Sequence, residues 1–521
     1  MKLSIIKYSI SIGLISLMAG CTKQLDQTNP NNQTSATFWQ TSSDALKGVN
    51  ACYQMFLEDG GYMRFTPILL NIQGDDIRSN SPWTAISNVG KFQLGTADNS
   101  GYGWAFDEFY QGISRCNQVL QYVPGISMDA NLKNRILGQA YFLRGLYYFH
   151  LVDMWGNVPL PTHVTEVAKQ STTADGWKQV ISDLKTAVDL LPAQYSSTGG
   201  VDAKDLGRAT KGAAMAYLGK AYLFTKDYTN AAAQLKNVIS LGIYNLMPNY
   251  KDNFTETAEN NAESIFEIQF SLTAGGTDLQ WQGVPSSTWG FYSARAITFG
   301  PRNFGWVDVQ PTKTALAEFH QEKTTAGGID PRCLATIFYN DTVDTHLAST
   351  PMYQTTFQST YAASVADLND VFCRKYENGE GNKPNEFDWK SGINERLMRY
   401  SDVLLMYAEC LNELGQTSAA APYIQMVRSR AKLPDRTTEF AGYTQQQLRD
   451  QLGHERMLEF CLEGHRFDDI RRWGWLTDAT KMTWLKSRDA EFNSYIAGKE
   501  LLPIPQTEID NNPGVKQNPS Y

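Results

Sequence analysis

No stretch of this chain supplies the roughly 18 consecutive apolar residues that a membrane-crossing helix requires; the run Ile10 to Met18 is too short and is broken by Ser11 and Ser16. Paired cysteines are also missing. Cys52, Cys116, Cys333, Cys373, Cys410 and Cys461 lie far apart and none belongs to a C-x-x-C pair, so a thiolate zinc site is not expected. Signatures of catalysis are absent too: there is no G-x-S-x-G, no P-loop and no G-x-G-x-x-G at a strand-helix junction. His454-Glu455 is followed by Leu458 where a zinc peptidase helix needs its second histidine. Positive charge is scarce. The formal net charge is -8 and no basic run occurs, which argues against a nucleic-acid partner and against attraction to anionic lipid.

What is present begins with Lys2 and Lys7, the apolar run, and the small pair Ala19-Gly20, the pattern of a secretory signal peptide over residues 1–20. Cys21 follows directly. This resembles the lipobox of bacterial lipoproteins, although Met18 stands where Leu, Val or Ile is commoner. A lipidated Cys21 carries several acyl chains, and at about 0.8 kcal/mol per buried methylene these anchor a protein without spanning the bilayer. Residues 21–35, rich in Gln, Asn and Thr with Pro30, read as a flexible tether. Export permits oxidation of cysteines, but Cys410 and Cys461 sit within apolar helical patterns and read as buried thiols.

The mature chain, at roughly 500 residues, has the length for two to four domains and a large core. Helical spacing predicts helices over 107–123 (Tyr110, Ile113, Asn117 and Leu120 on one face, ended by Pro124-Gly125), 132–154, 177–191 and 209–225. The last of these carries Gly212, Ala213 and Ala216, which allow close helix approach. With Tyr217, Ala221, Tyr222, Asp227-Tyr228 and Ala231-Ala232 it resembles the tetratricopeptide repeat. Residues 400–414 and 419–431 read as another such pair. Between 249 and 395 the periodicity fades. Glycines punctuate short apolar runs such as 265–270 and 371–376, read as strands. The expected class is mainly α: a helical half over 36–248, a loop-rich ligand-binding region over 249–395, and helices over 396–521 completing the scaffold. Irregular loops on a rigid frame are where binding residues usually lie.

Four stretches resemble the SusD/RagB family: AYFLRGLYYFHLVDMWGNVPL at 140–160, GRATKGAA at 207–214, EGHRFDDIRRWG at 463–474, and LPIPQTEID at 502–510 with NPG at 512–514 and QNP at 517–519. They occur in the family's order. The resemblance implies a glycan-binding lipoprotein of the outer membrane, facing the exterior, that pairs with a SusC-like TonB-dependent transporter. It also implies no catalysis and no cofactor. The signature stretches themselves read as scaffold: Glu455, Arg456, Glu459, Glu463 and Arg466 offer guanidinium–carboxylate pairs. His465 reads as structural, and Tyr147, Tyr148, Phe149 and Trp155 as core.

A sugar ring presents an apolar C–H face for an aromatic ring to cover, and hydroxyls that seek Asp, Asn and Arg. Aromatics are abundant, with 12 Trp and 26 Tyr. Two loop regions combine these chemistries. In the first, Trp83 follows Pro82, with Asp75, Arg78 and Asn80 close by in sequence; in the second, Trp281, Trp289, Tyr292 and Trp306 stand among glycines with Phe291 and Arg302. Trp104 reads equally as the start of the helix at Asp107. Two other classes stay open at this point: a surface glycoside hydrolase, whose two carboxylates leave no local motif, and a peptide-binding or protein-interaction scaffold.

Overall fold

The computed structural model describes residues 35–96, 100–164, 168–195, 205–273, 291–341, 351–377 and 388–521. Cys21, Trp281 and Trp289 therefore lie outside the described residues. Among the described residues nine helices form the frame: α1 (Ser42–Gln54), α2 (Tyr102–Tyr122), α3 (Ala130–Trp155), α4 (Thr173–Leu190), α5 (Lys211–Phe224), α6 (Tyr228–Ser240), α7 (Tyr400–Glu413), α8 (Thr417–Arg430) and α9 (Gln445–Phe460). Side-chain caps fix where several begin. Asp129 accepts from the Leu132 amide, Thr210 from Ala213 and Asp227 from Asn230, while Thr41 and Thr444 close reciprocal capping boxes.

Each helix packs on the next: α1 on α2, α2 on α3, α3 on α4, α4 on α5 and α5 on α6. The stack then continues from α6 directly to α7, passing over residues 241–399. Small residues on α5 make this possible. A Cβ at Gly219 would lie 2.7 Å from Leu235 Cγ of α6, and one at Gly212 would lie 2.2 Å from the Tyr244 hydroxyl, so larger residues there would push the helices apart. Nearly every residue of α5 is buried, as its central place demands. This nearest-neighbour stacking is the tetratricopeptide-like scaffold expected from sequence.

The region between α6 and α7 is mainly irregular; the described residues hold three two-stranded antiparallel sheets, one of which pairs this region with the segment before α2. These pair β1 (Ile77–Arg78) with β3 (Gln310–Pro311), β2 (Ser264–Ile268) with β6 (Glu395–Arg399), and β4 (Ile337–Tyr339) with β5 (Val371–Cys373). The expected strands at 265–270 and 371–376 are thus paired ones. In the β2–β6 pair Ser264 faces Arg399 and Ile268 faces Glu395, which closes the long insertion at its base. One hydrophobic core extends from Ala45 to Val515 and includes Tyr147, Tyr148, Phe149 and Trp155, all buried. Cys410 and Cys461 are buried thiols.

The charged signature segment is scaffold, but its partners are distant in sequence. Glu459 accepts from Arg399, Arg430 and Arg332, Glu455 from Arg332 and Arg428, and Glu463 from Arg399 and Lys375. Arg456 donates to Asp402 and Asp469. Gly464 turns the chain at φ +78°, where a Cβ would meet Leu70 Cβ at 2.8 Å, and its amide donates to Asn71 Oδ1 at 3.0 Å. His465 is buried against Phe460, and burial with the nearby Lys220 ammonium pushes its imidazole down to about 4. At neutral pH it is uncharged.

Candidate functional site

The site starts at a sharp turn. Residues Asp59–Met63 form a single π-helical turn, with Gly61 outside helical geometry, and the Gly61 amide donates to Glu108 Oε2 of α2 at 2.6 Å. Gly60 lies so close to α2 that an added Cβ would sit 2.4 Å from the Ala105 nitrogen. The turn delivers Arg64, whose guanidinium grips Asp59 through two bonds of 2.7 and 2.5 Å. That fork holds the cation in one place. It lies 4.4 Å from the Phe65 ring centroid, 5.9 Å from Trp83 and 5.5 Å from Trp389, within range for cation–π attraction.

Two tryptophan pairs meet around this arginine. Trp83, just before the short helix Thr84–Gly90, lies 6.0 Å from Trp104, and both stand edge-to-face on Phe65 at 5.4 and 5.1 Å. In the second pair Trp306 meets Trp389 edge-to-face at 4.0 Å. The Trp306 amide donates to the Ile297 carbonyl, which pins its loop to the short helix Arg295–Phe299. Trp306 is 38% exposed, and Trp83, Trp104 and Trp389 are half-buried. The result is an aromatic face built from both halves of the chain. Beside it, Ser81 hydrogen-bonds the buried Asp308 carboxyl; burial raises that carboxyl, opposed by Ser81 and by Arg64.

The sequence-predicted residues divide clearly. Trp83 stands 5.9 Å from Arg64 and Trp306 reaches the same arginine only through Trp389, while Asn80 is exposed three residues before Trp83. Arg78 is half-exposed but forked onto Asp370, with both contacts at 2.8 Å. Asp75 is not a surface group at all: it is fully buried and accepts from Arg466 and Arg488. Burial alone would raise its carboxyl, but the two guanidinium groups outweigh that and hold it below the usual range. Tyr292 is only 6% exposed and belongs to the packing under the loops rather than to an open platform. Arg64, Phe65 and Trp389 were not singled out from sequence. Trp104 joins the face as well as opening α2.

A second aromatic group, Trp473, Trp475 and Trp484, is occupied differently. Trp475 carries Arg466 at 5.1 Å and Lys481 at 4.6 Å, and Trp484 carries Arg488 at 4.3 Å. Because Arg466 and Arg488 are also the partners of Asp75, these rings cover a buried ion cluster, although Trp484 keeps 37% of its surface exposed.

Comparison with known proteins places this architecture. Residues 262–521 match the model described as the SusD family, and residues 23–223 match the model described as Starch-binding associating with outer membrane. The chain belongs to the SusD/RagB family. A SusD-like protein of Formosa agariphila is 26% identical over 510 residues, covering 92% of this chain and 91% of that protein. Among solved structures, a SusD superfamily protein from Bacteroides vulgatus superposes with a TM-score of 0.77 at 29% identity, covering 93% of this chain and all of that one. A laminarin binding SusD-like protein superposes at 0.73 with 25% identity, covering 92% of this chain and 100% of its own. In this SusD/RagB chain the signature stretches belong to the frame, and the aromatic face comes from elsewhere: Trp83 and Trp104 precede the first stretch, and Trp306 and Trp389 lie between the second and the third.

Proposed function

We propose that this protein holds glycan at the bacterial surface, anchored to the outer membrane through acylated Cys21, and hands it to a SusC-like TonB-dependent transporter. The observation that carries the binding role is the pair of tryptophan edges gathered around Arg64. Indole rings on a surface cover the C–H faces of successive sugars, while the exposed Asn80 can pair with their hydroxyls. The laminarin-binding relative supports the ligand class. Acylation is the natural anchor, since no helix among the described residues is long and apolar enough to cross a membrane.

The reading is for binding without hydrolysis. Glycoside cleavage needs two carboxylates, one of them able to hold a proton. Asp59 and Asp370 near the aromatic face are each engaged by an arginine, and the nearby carboxyls that burial raises, Glu58, Glu108 and Asp308, are themselves buried away from a ligand on the surface. The purified protein should therefore release no reducing ends from any polysaccharide it retains. Sustained release that a single Asp308→Asn change abolished would turn the assignment to a hydrolase.

Anchoring has its own test. Cys21→Ala should remove the acyl chains and release the protein from outer-membrane fractions of cells lacking the transporter. Retention of that variant in the membrane would contradict lipidation. Affinity electrophoresis through gels containing single polysaccharides tests the binding role itself, with mobility loss in at least one gel as the expected result.

A further inference from the structure

Every described cation that flanks the aromatic face has an acid of its own. Arg64 pairs with Asp59 at 2.5 Å, Arg78 with Asp370 at 2.8 Å, Arg302 in the Trp306 loop with Asp367 at 2.8 Å, and Lys390 beside Trp389 with Asp388 at 2.8 Å. Asp308 adds a further acid. The whole chain carries a net charge of -8. Resting on the glycan reading above, we propose that this face takes uncharged polysaccharide and rejects polymers that bear carboxylate or sulfate groups.

The physical reason is desolvation. A uronate or sulfate laid on the indoles loses water and needs a cation in return, and a guanidinium already paired with a carboxylate has its charge compensated. An anion captured by Arg78 or Arg302 would lie beside the Asp370 or Asp367 carboxylate, and the like charges would repel. A neutral ring makes no such demand. Its C–H face needs only the indole and its hydroxyls need only dipoles, so binding should be almost independent of ionic strength. Sites built for acidic polymers behave oppositely, losing affinity steeply as salt rises.

The test runs the full-length protein in detergent through gels containing laminarin, glycogen, mannan, polygalacturonate, alginate or dextran sulfate. Retardation by at least one of the first three and by none of the acidic polymers is expected. The dissociation constant for the retained polymer should change less than about twofold between about 20 and about 500 mM NaCl, a range that shortens the screening length severalfold. A second arm uses Asp367→Asn with Asp370→Asn, which frees Arg302 and Arg78; this variant should be retarded by polygalacturonate at low salt. Retardation of the unaltered protein by an acidic polymer, lost in high salt, would overturn the proposal, as would a double variant that still ignores polygalacturonate while keeping its neutral ligand. Passage through all six gels without retardation would instead overturn the glycan reading itself.

Discussion

Replacing Trp306 by alanine is expected to lower glycan affinity by at least about tenfold, or about 1.4 kcal/mol, while leaving the folded state almost as stable as before. Binding energy at such surfaces concentrates in a few rings, and an extended glycan loses conformational freedom that shallow contacts scarcely offset. Trp306 is the most exposed ring of the face, and its packing is mainly the edge contact with Trp389. Trp83→Ala should weaken binding comparably, but with a measurable stability loss, because Trp83 also packs on Phe65 and Trp104. Full removal of a core Trp costs about 3 to 5 kcal/mol, and a half-buried ring should lose less. Tyr292→Ala should show the reverse pattern, lowering stability with affinity little changed. Isothermal titration and urea unfolding of the same three variants separate these outcomes. If Trp306→Ala bound as tightly as the parent, the aromatic face would not be the binding surface.

The second large effect lies in the frame. Arg399→Met removes the guanidinium shared by Glu263, Glu459 and Glu463, all of them buried, and leaves carboxylates without sufficient compensation. Breaking a buried pair on one side typically costs about 3 to 5 kcal/mol, and the urea midpoint should fall accordingly with an unchanged slope. Acid should reproduce the loss. Burial alone would raise the Glu459 carboxyl, but Arg430, Arg399 and Arg332 outweigh it and hold it far below its ordinary value of 4.5. A carboxylate with a depressed folded pKa binds fewer protons in the native state than in the unfolded one. Its contribution is therefore complete above the ordinary value and disappears as pH falls toward the folded one. Glu459→Gln should be less stable than the parent at pH 7 and less sensitive to acid below about pH 4.5. A parent protein equally stable at pH 7 and pH 3 would contradict this account of the network.

Much of the frame was legible in the sequence because it follows from local periodicity. The helices expected over 107–123, 132–154, 177–191 and 209–225 are α2 to α5, with ends shifted by a few residues where Thr or Asp caps and Gly turns decide the boundary. The Gly212 to Ala216 face announced close packing, and α5 is indeed the buried middle of the stack. The order of the stack was less visible, since the contact of α6 with α7 joins segments separated by the whole irregular region. Charged residues were the hardest to place. Gly74-Asp75-Asp76 has the composition of a surface turn, but Asp75 is neutralised by Arg466 and Arg488, which lie hundreds of residues away and give no local sign. Glu459 and Glu463 were recognisable as ion-pair formers, while Arg332, Arg399 and Arg430 were not recognisable as their partners.

Half of the aromatic face could be read and half could not, for a similar reason. Trp83 and Trp306 stand beside Pro and Gly in loops, where an exposed ring is easiest to suspect. Trp389 offers no such context. Its backbone sits at φ +69°, an uncommon conformation for a bulky side chain, and only tertiary contact brings it onto Trp306. Arg64 was hidden as well, since its place between three rings depends on Trp83 and Trp389 arriving from elsewhere. Tyr292 looked like a member of the face by neighbourhood alone, and burial removes it.

The most direct measurement of the central claim is a crystal structure of the protein with an oligosaccharide from whichever polymer retards it in electrophoresis. Sugar rings should lie against Trp83 or Trp104 and against Trp306 or Trp389, with one chain bridging the two pairs. An oligosaccharide bound instead at Trp473, Trp475 and Trp484, with the face around Arg64 unoccupied, would contradict the account.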